Sequence, residues 1–252
     1  MIKSVVFDMG GVIHTQSYPD KCKLEFAENL LAFLAVNNIL INDTPEKFDE
    51  KLQRGGKLYK KHEETEKVEL QAERIWADFF LKEYGVEANK LLSIGEELCF
   101  LYDSSRPIIT PRVGLKETME GLKAIGMRLG IITNIMSKTY TTYALKKYGI
   151  DQYFEHIIQS SECGIRKPDK RIFELYERDM GLSKNECAYV GDTISRDVIG
   201  VRNANWEMII LIDNPLIAAK DEKYKNSGYA ADYEIKNLFE VVEIIKEYNQ
   251  KF

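Results

Sequence analysis

Short runs of β-branched and aliphatic residues recur along the chain: Ile2–Phe7, Arg128–Ile132, His156–Gln159, Cys187–Val190 and Glu207–Ile212. Between the later runs lie stretches with apolar residues at helical spacing, Leu115–Ile125, Ser137–Tyr148, Arg171–Met180 and Asp197–Asn203. This alternation constrains the fold more than any other feature. Strands separated by a helix pair in parallel, because a tight hairpin cannot reverse the chain between them. A parallel sheet must be covered on both faces, and its crossovers are right-handed. The expected fold class is therefore α/β, a Rossmann-like parallel sheet with helices on both faces.

Residues 15–108 break the rhythm. Phe26, Leu30, Leu31 and Leu34 repeat at helical spacing, as do Ile75, Phe79 and Phe80, and no strand pattern interrupts them. Acidic residues outnumber basic ones here, while the rest of the chain is balanced. The sequence thus predicts a core domain of residues 1–14 and 109–252, with a helical cap of residues 15–108 inserted after the first strand. Ser104-Ser105-Arg106-Pro107 and Thr110-Pro111 mark the return to the core. A last helix is expected at Asn237–Tyr248, packing on the sheet through Leu238, Val241, Val242 and Ile245.

Composition narrows the function classes. The 252 residues are 44% hydrophobic and 30% charged, the balance of a globular chain long enough for a substantial core. The net charge is −5 and no basic stripe stands out, which argues against a nucleic-acid partner. No apolar run approaches the ~20 residues of a membrane span. The first apolar run is too short for a signal-peptide core. The four cysteines, Cys22, Cys99, Cys163 and Cys187, are far apart. They are expected as reduced thiols in a cytoplasmic protein, monomeric or homodimeric.

Segments at the carboxyl ends of the expected strands carry the chemistry, since ligands bind at that edge of an open parallel sheet. Val5-Val6-Phe7-Asp8 ends a buried strand in a carboxylate, a candidate nucleophile or metal ligand, or simply a turn cap. Ile131-Ile132-Thr133-Asn134 offers a hydroxyl before an expected helix N-terminus, suited to an anion or to helix capping. In Arg166-Lys167-Pro168-Asp169 the proline holds Lys167 in a turn, where it could neutralise a phosphate or lie at the surface. Gly191-Asp192 with Asp197 provides two carboxylates suited to a hard cation, or a cap and a first-turn acid.

In order and position, these four segments resemble the motifs of the haloacid dehalogenase-like hydrolase superfamily. The first motif of that family is hydrophobic residues followed by Asp-x-Asp-x-Thr/Val, here Asp8-Met9-Gly10-Gly11-Val12. The second ends a strand in Thr or Ser, here Thr133; the third is Lys167-Pro168-Asp169; the fourth pairs Asp192 with Asp197. A helical insertion after the first motif is similar to the type-1 cap of the phosphatase and dehalogenase branch. The resemblance implies a Mg²⁺-dependent phosphatase for a small phosphorylated metabolite such as a sugar phosphate. Asp8 would be the nucleophile and form an aspartyl-phosphate. Mg²⁺ would be held by Asp8, the Gly10 carbonyl and Asp192, with Asp197 helping directly or through water. Thr133 and the Asn134 N–H would hold phosphate oxygens, and Lys167 would offset their charge.

One position departs from the family pattern. The second Asp of the first motif, which protonates the leaving alcohol and activates water, is replaced by Gly10. General acid–base help is worth ~10²–10⁴-fold. Three readings follow: a phosphatase for substrates with good leaving groups, with His14 a candidate for activating water; a 2-haloacid dehalogenase, disfavoured by the retained Asp192 and Asp197; or a binding or regulatory protein. In the cap, Arg54-Gly55-Gly56-Lys57 offers cations for a second anionic group, or else a solvated interhelical turn. Trp76 and Tyr59 are expected in the cap core.

Overall fold

The computed structural model describes residues 1–224 and 228–252. The chain forms two compact units: Met1–Thr15, Thr110–Asn134 and Thr141–Phe252 in one, Gln16–Ile109 and Ile135–Tyr140 in the other. In chain order the strands are β1 (Ser4–Phe7), β2 (His14–Ser17), β3 (Ile108–Pro111), β4 (Arg128–Thr133), β5 (Phe154–Gln159), β6 (Cys187–Gly191), β7 (Met208–Ile212) and β8 (Tyr233–Ile235). The chain leaves the larger unit in β2 and returns in β3, and these two strands pair with each other.

In the larger unit the sheet order is β5-β4-β1-β6-β7-β8, with every neighbouring pair parallel. Strand β1 is wholly buried; Val5 is in register with Leu129 of β4 and Ala188 of β6. The chain lays β4 and β5 outward on one side of β1, then crosses back to lay β6, β7 and β8 on the other. That reversal leaves a crevice beyond the carboxyl ends of β1, β4 and β6. On one face, Val6, Ile132, Tyr189 and Ile209 pack with Ile172, Phe173 and Tyr176 of the helix Arg171–Met180 and with Trp206. The alternate residues Val5 and Phe7 point the other way and are equally buried, so both faces are covered. The helix Leu115–Ala124 packs against Glu240–Asn249.

The smaller unit gathers the helices Asp20–Val36, Pro45–Glu66 and Gly95–Ser105 around Leu30, Leu34, Phe48, Leu52, Trp76 and Leu98. Trp76 and Tyr59 are buried in this core, as expected. Arg54–Lys57 is not a turn: the helix Pro45–Glu66 runs straight through it. Arg54 forks onto Glu83 at 2.9 Å, and a Cβ on Gly55 would lie 2.5 Å from the Phe79 carbonyl oxygen. The paired glycines serve a close approach of backbone, not mobility.

Other elements differ from expectation at their edges. Strand β8 and the β2–β3 pair are too short and too mixed in polarity to stand out by pattern. The helix expected from Ser137 begins at Tyr140, because the Ser137 hydroxyl accepts the Tyr140 N–H and Glu96 accepts the N–H groups of Lys138 and Thr139. Among the described residues no helix is long and apolar enough to cross a membrane. Cys22, Cys99, Cys163 and Cys187 are all free thiols.

Candidate active site

Asp8 follows β1 directly. Its N–H donates to the Val190 carbonyl at 3.0 Å, so the backbone is still tied to β6 where the carboxylate emerges. Asp8 Oδ1 accepts the Met9 N–H at 2.7 Å, and Oδ2 lies 3.0 Å from Lys167 Nζ. The chain then turns tightly, with the Ile13 N–H donating to the Met9 carbonyl and the Gly11 N–H to that of His14. Gly11 has φ +85°, and a Cβ there would lie 1.9 Å from Asp192 Oδ2. Both backbone and space therefore demand glycine. Gly10 is different. It lies outside the left-handed region, and a Cβ there would meet nothing within 4 Å.

Lys167 is held at both ends. Asn134 Oδ1 accepts its N–H at 2.8 Å, and Asn134 Nδ2 donates to its carbonyl at 3.0 Å. The buried ammonium donates to Tyr189 Oη (2.7 Å) and Asp197 Oδ1 (2.7 Å), and pairs with Asp8. Tyr189 Oη in turn donates to the Ile132 carbonyl at 2.7 Å. Lys167 thus makes two hydrogen bonds and an ion pair.

Asp197 is fully buried and fully engaged. Oδ1 takes Lys167; Oδ2 accepts the N–H of Asp192 (3.2 Å), the N–H of Thr193 (3.0 Å) and the Thr193 hydroxyl (2.7 Å). Burial alone would raise its pKa, but Lys167, Arg196 and these hydrogen bonds hold it below the usual carboxylate value. Asp192 has the opposite balance. Burial, then the charges of Asp197 and Asp8, push it up to about 7 against the pull of Arg196. Its Oδ2 accepts from Asn214 Nδ2 at 2.6 Å, while its buried Oδ1 has no hydrogen-bond partner.

Asp8, Asp192 and Asp197 each turn a carboxylate oxygen to a common point, all within 4.8 Å of one another. A buried carboxylate oxygen left unpaired among like charges suits a divalent cation with oxygen ligands. The donor set therefore fits Mg²⁺. Of the residues singled out by sequence, Asp8, Lys167, Asp192 and Asp197 are brought into contact. Thr133 ends β4 with its side chain nearly buried.

Two expectations are corrected here. Thr133 and Asn134 do not open a helix, since the next one starts at Tyr140, so a helix dipole cannot favour an anion there. The Asn134 side chain instead clamps Lys167, a role that no spacing rule reveals. His14, the candidate for activating water, is shut away from solvent. Its ring is buried, lies 3.2 Å from the Tyr148 hydroxyl through Nδ1, and burial lowers its pKa to about 4. Sequence reasoning also missed Asn214 and Arg112. Arg112 donates to the Gly11 carbonyl (2.8 Å from Nε) and the Asp213 carbonyl (2.9 Å). Neither lies in a family motif: Asn214 arrives after β7 of the main sheet, and Arg112 after β3 of the two-stranded one.

Comparison with known proteins agrees with this geometry. The family model for haloacid dehalogenase-like hydrolases matches residues 2–205. The glyceraldehyde 3-phosphate phosphatase of Methanocaldococcus jannaschii is 24% identical over 248 residues, spanning 98% of each chain. Among solved structures, a 2-haloacid dehalogenase from Pseudomonas syringae superposes with a TM-score of 0.68 at 21% identity, covering 98% of this chain and all of the other. A phosphatase of the same family from Thermococcus onnurineus gives 0.63 at 24% identity, covering 97% and 98%.

Proposed function

The chain belongs to the haloacid dehalogenase-like hydrolase family, and from that premise we propose that it is a Mg²⁺-dependent phosphatase acting on a small phosphorylated metabolite. The observation that carries this reading is the buried carboxylate cluster with the unpaired Asp192 Oδ1. A dehalogenase attacking carbon without metal has no use for a second and third carboxylate, which would repel a carboxylate substrate. The Methanocaldococcus jannaschii relative, matched over 98% of this chain, is named for a triose phosphate, which supports a substrate of that size.

The chemistry proceeds in two displacements. The Asp8 carboxylate attacks phosphorus, the bond from phosphorus to the leaving oxygen breaks, and an aspartyl-phosphate forms. Water then attacks phosphorus, restores Asp8 and releases inorganic phosphate. Asp8 and the phosphate are both anionic, and Lys167 lies where it can offset their repulsion. The Thr133 hydroxyl and Asn134 N–H would receive phosphate oxygens. Asp8, the Gly10 carbonyl and Asp192 would hold Mg²⁺, which supplies further charge neutralisation. Asp197, with both oxygens engaged, would act on the ion through water and by fixing Lys167. The free cysteines fit a reducing cytoplasm, and a monomer or homodimer suffices for this chemistry.

The test is phosphate release from triose, sugar, acyl and nucleotide phosphates, with and without Mg²⁺, beside halide release from 2-haloacids. The expected result is Mg²⁺-dependent phosphate release that Asp8→Asn reduces to background while the melting temperature stays near wild type. Halide release instead, or full phosphatase activity in excess EDTA, would overturn the reading.

A further inference from the structure

Asn214 follows β7 and belongs to no motif that the sequence displays. We propose that it is a positioning residue for the cation site. It fixes the Asp192 carboxylate so that Oδ1, the oxygen without a hydrogen bond, is the one available to a divalent ion. The inference rests on the Mg²⁺ reading of the cluster.

The side chain works at both ends. Asn214 Oδ1 caps the helix Pro215–Asp221 by accepting the Leu216 N–H at 3.2 Å. Because the amide oxygen is committed to the cap, the amide nitrogen must be the end that faces Asp192. Nδ2 donates to Asp192 Oδ2 at 2.6 Å. A neutral donor occupies one carboxylate oxygen without placing a competing positive charge beside the ion. A lysine or arginine in the same place would compete with the ion, and an unpaired Oδ2 would let the group rotate.

The surroundings fix Asn214 in turn. The Arg112 guanidinium joins the Gly11 carbonyl to the Asp213 carbonyl, next in chain to Asn214. A Cβ on Gly11 would lie 2.8 Å from Asn214 Nδ2 and still closer to Asp192, so the three groups are stacked without spare room. At the far end of the same short helix, the buried Asp221 accepts the Ile194 N–H at 2.6 Å. The segment from Asn214 to Asp221 therefore grips the Asp192–Asp197 loop at two points.

Partners that orient metal ligands typically contribute 10–100-fold to affinity. The deciding variant is Asn214→Ser. Serine keeps the helix cap, but its hydroxyl is too short to reach Asp192. Calorimetric titration of Mg²⁺ into metal-free protein should show at least ~10-fold weaker binding in this variant, with circular dichroism and metal-free melting temperature near wild type. A purely structural cap would leave the affinity at the wild-type value, and that result overturns the inference. Wild-type protein that does not bind Mg²⁺ overturns the underlying reading as well. Should the serine variant fail to fold, Asn214→Asp decides. It keeps length and cap but sets an acceptor against Asp192 Oδ2. Metal-free protein should then melt lower at pH 8 and recover with Mg²⁺, and an unchanged melting temperature overturns the proposal.

Discussion

Gly10 withholds from Asp8 the proton donor that the family pattern sets two residues away. Around Asp8, the protons of Lys167, Tyr189 and His14 are already engaged. Lys167 donates to Tyr189 and Asp197 and pairs with Asp8, Tyr189 donates to Ile132, and His14 is neutral and buried against Tyr148. With Gly10 in place of the family's acid, the leaving group is expected to depart on its own basicity. The rate should fall steeply as leaving-group pKa rises, with aryl and acyl phosphates cleaved much faster than alkyl phosphates. A Cβ at Gly10 meets nothing within 4 Å and φ is unstrained, so the backbone admits the test substitution Gly10→Asp. It should raise the rate on alkyl phosphates by ~10²–10⁴-fold and leave aryl phosphates nearly unchanged, flattening the series. A series that is already flat in the wild type would mean that another group supplies the acid. The identity of Asp8, Lys167, Asp192 and Asp197 was legible in sequence because each falls in a spaced motif. Their hydrogen-bond partners Tyr189 and Asn214 were not, nor was the clamp of Asn134 on Lys167, because tertiary packing makes those contacts.

At the level of elements, pattern located strands and helices but not what decides their ends. The strand from Cys187 and the helix Arg171–Met180 were legible because apolar periodicity continues to their boundaries. The start at Tyr140 was not, since it depends on Glu96, far away in sequence, capturing two N–H groups. Likewise, Gly55-Gly56 read as a turn by composition, yet tertiary packing overrides it. Gly55→Ala makes the two effects compete. Alanine favours an exposed helix interior by ~1 kcal/mol, but overpacking against the Phe79 carbonyl costs ~1–3 kcal/mol. The variant should melt a few degrees lower, and a higher melting temperature would mean that the Phe79–Phe80 backbone can withdraw. A second element-scale test concerns Asp103, in the helix Gly95–Ser105. Burial pushes its carboxyl up to about 8; the Ser137 N–H pulls it down, and Glu69, Glu96 and Glu63 raise it further. The folded value exceeds the unfolded one of about 4. Its contribution is thus complete below pH ~4 and is lost as pH rises toward 8. Asp103→Asn should flatten that decline in thermal melts, since the amide oxygen can still accept the Ser137 N–H. A slope equal to wild type would assign the pH dependence elsewhere.

For the whole molecule, charge in one corner of the sheet governs stability. The net charge is −5, and three buried carboxylates converge where Lys167 pairs with two of them. Burial first, and then the negative charges of Asp197 and Asp8, raise the cost of keeping Asp192 ionised. A divalent cation that binds the folded chain and not the unfolded one relieves this. At a hundredfold excess over Kd it contributes about 2.7 kcal/mol. For a chain of this length each kcal/mol moves the midpoint by ~2–4 °C, so Mg²⁺ should raise it by roughly 5–10 °C. The two tryptophans allow the rise to be located. Trp206 lies in the core of the larger unit, with Phe173 and Tyr176, and Trp76 in the core of the smaller. All three carboxylates belong to the unit of Trp206. In a Trp76→Phe background, which leaves Trp206 as the only fluorophore of its kind, Mg²⁺ must shift the Trp206 melting curve. The signal of Trp76, read in a Trp206→Phe background, follows only as far as the two units unfold together. The shift between metal-free and Mg²⁺-bound protein is the quantity to read, because either substitution lowers the baseline by loosening a core. Asp192→Asn should remove most of it. An equal shift in Asp192→Asn, or none in the Trp206 signal at millimolar Mg²⁺, would leave the cluster without a cation. The repulsion between Asp8 and a phosphate would then rest on Lys167 alone.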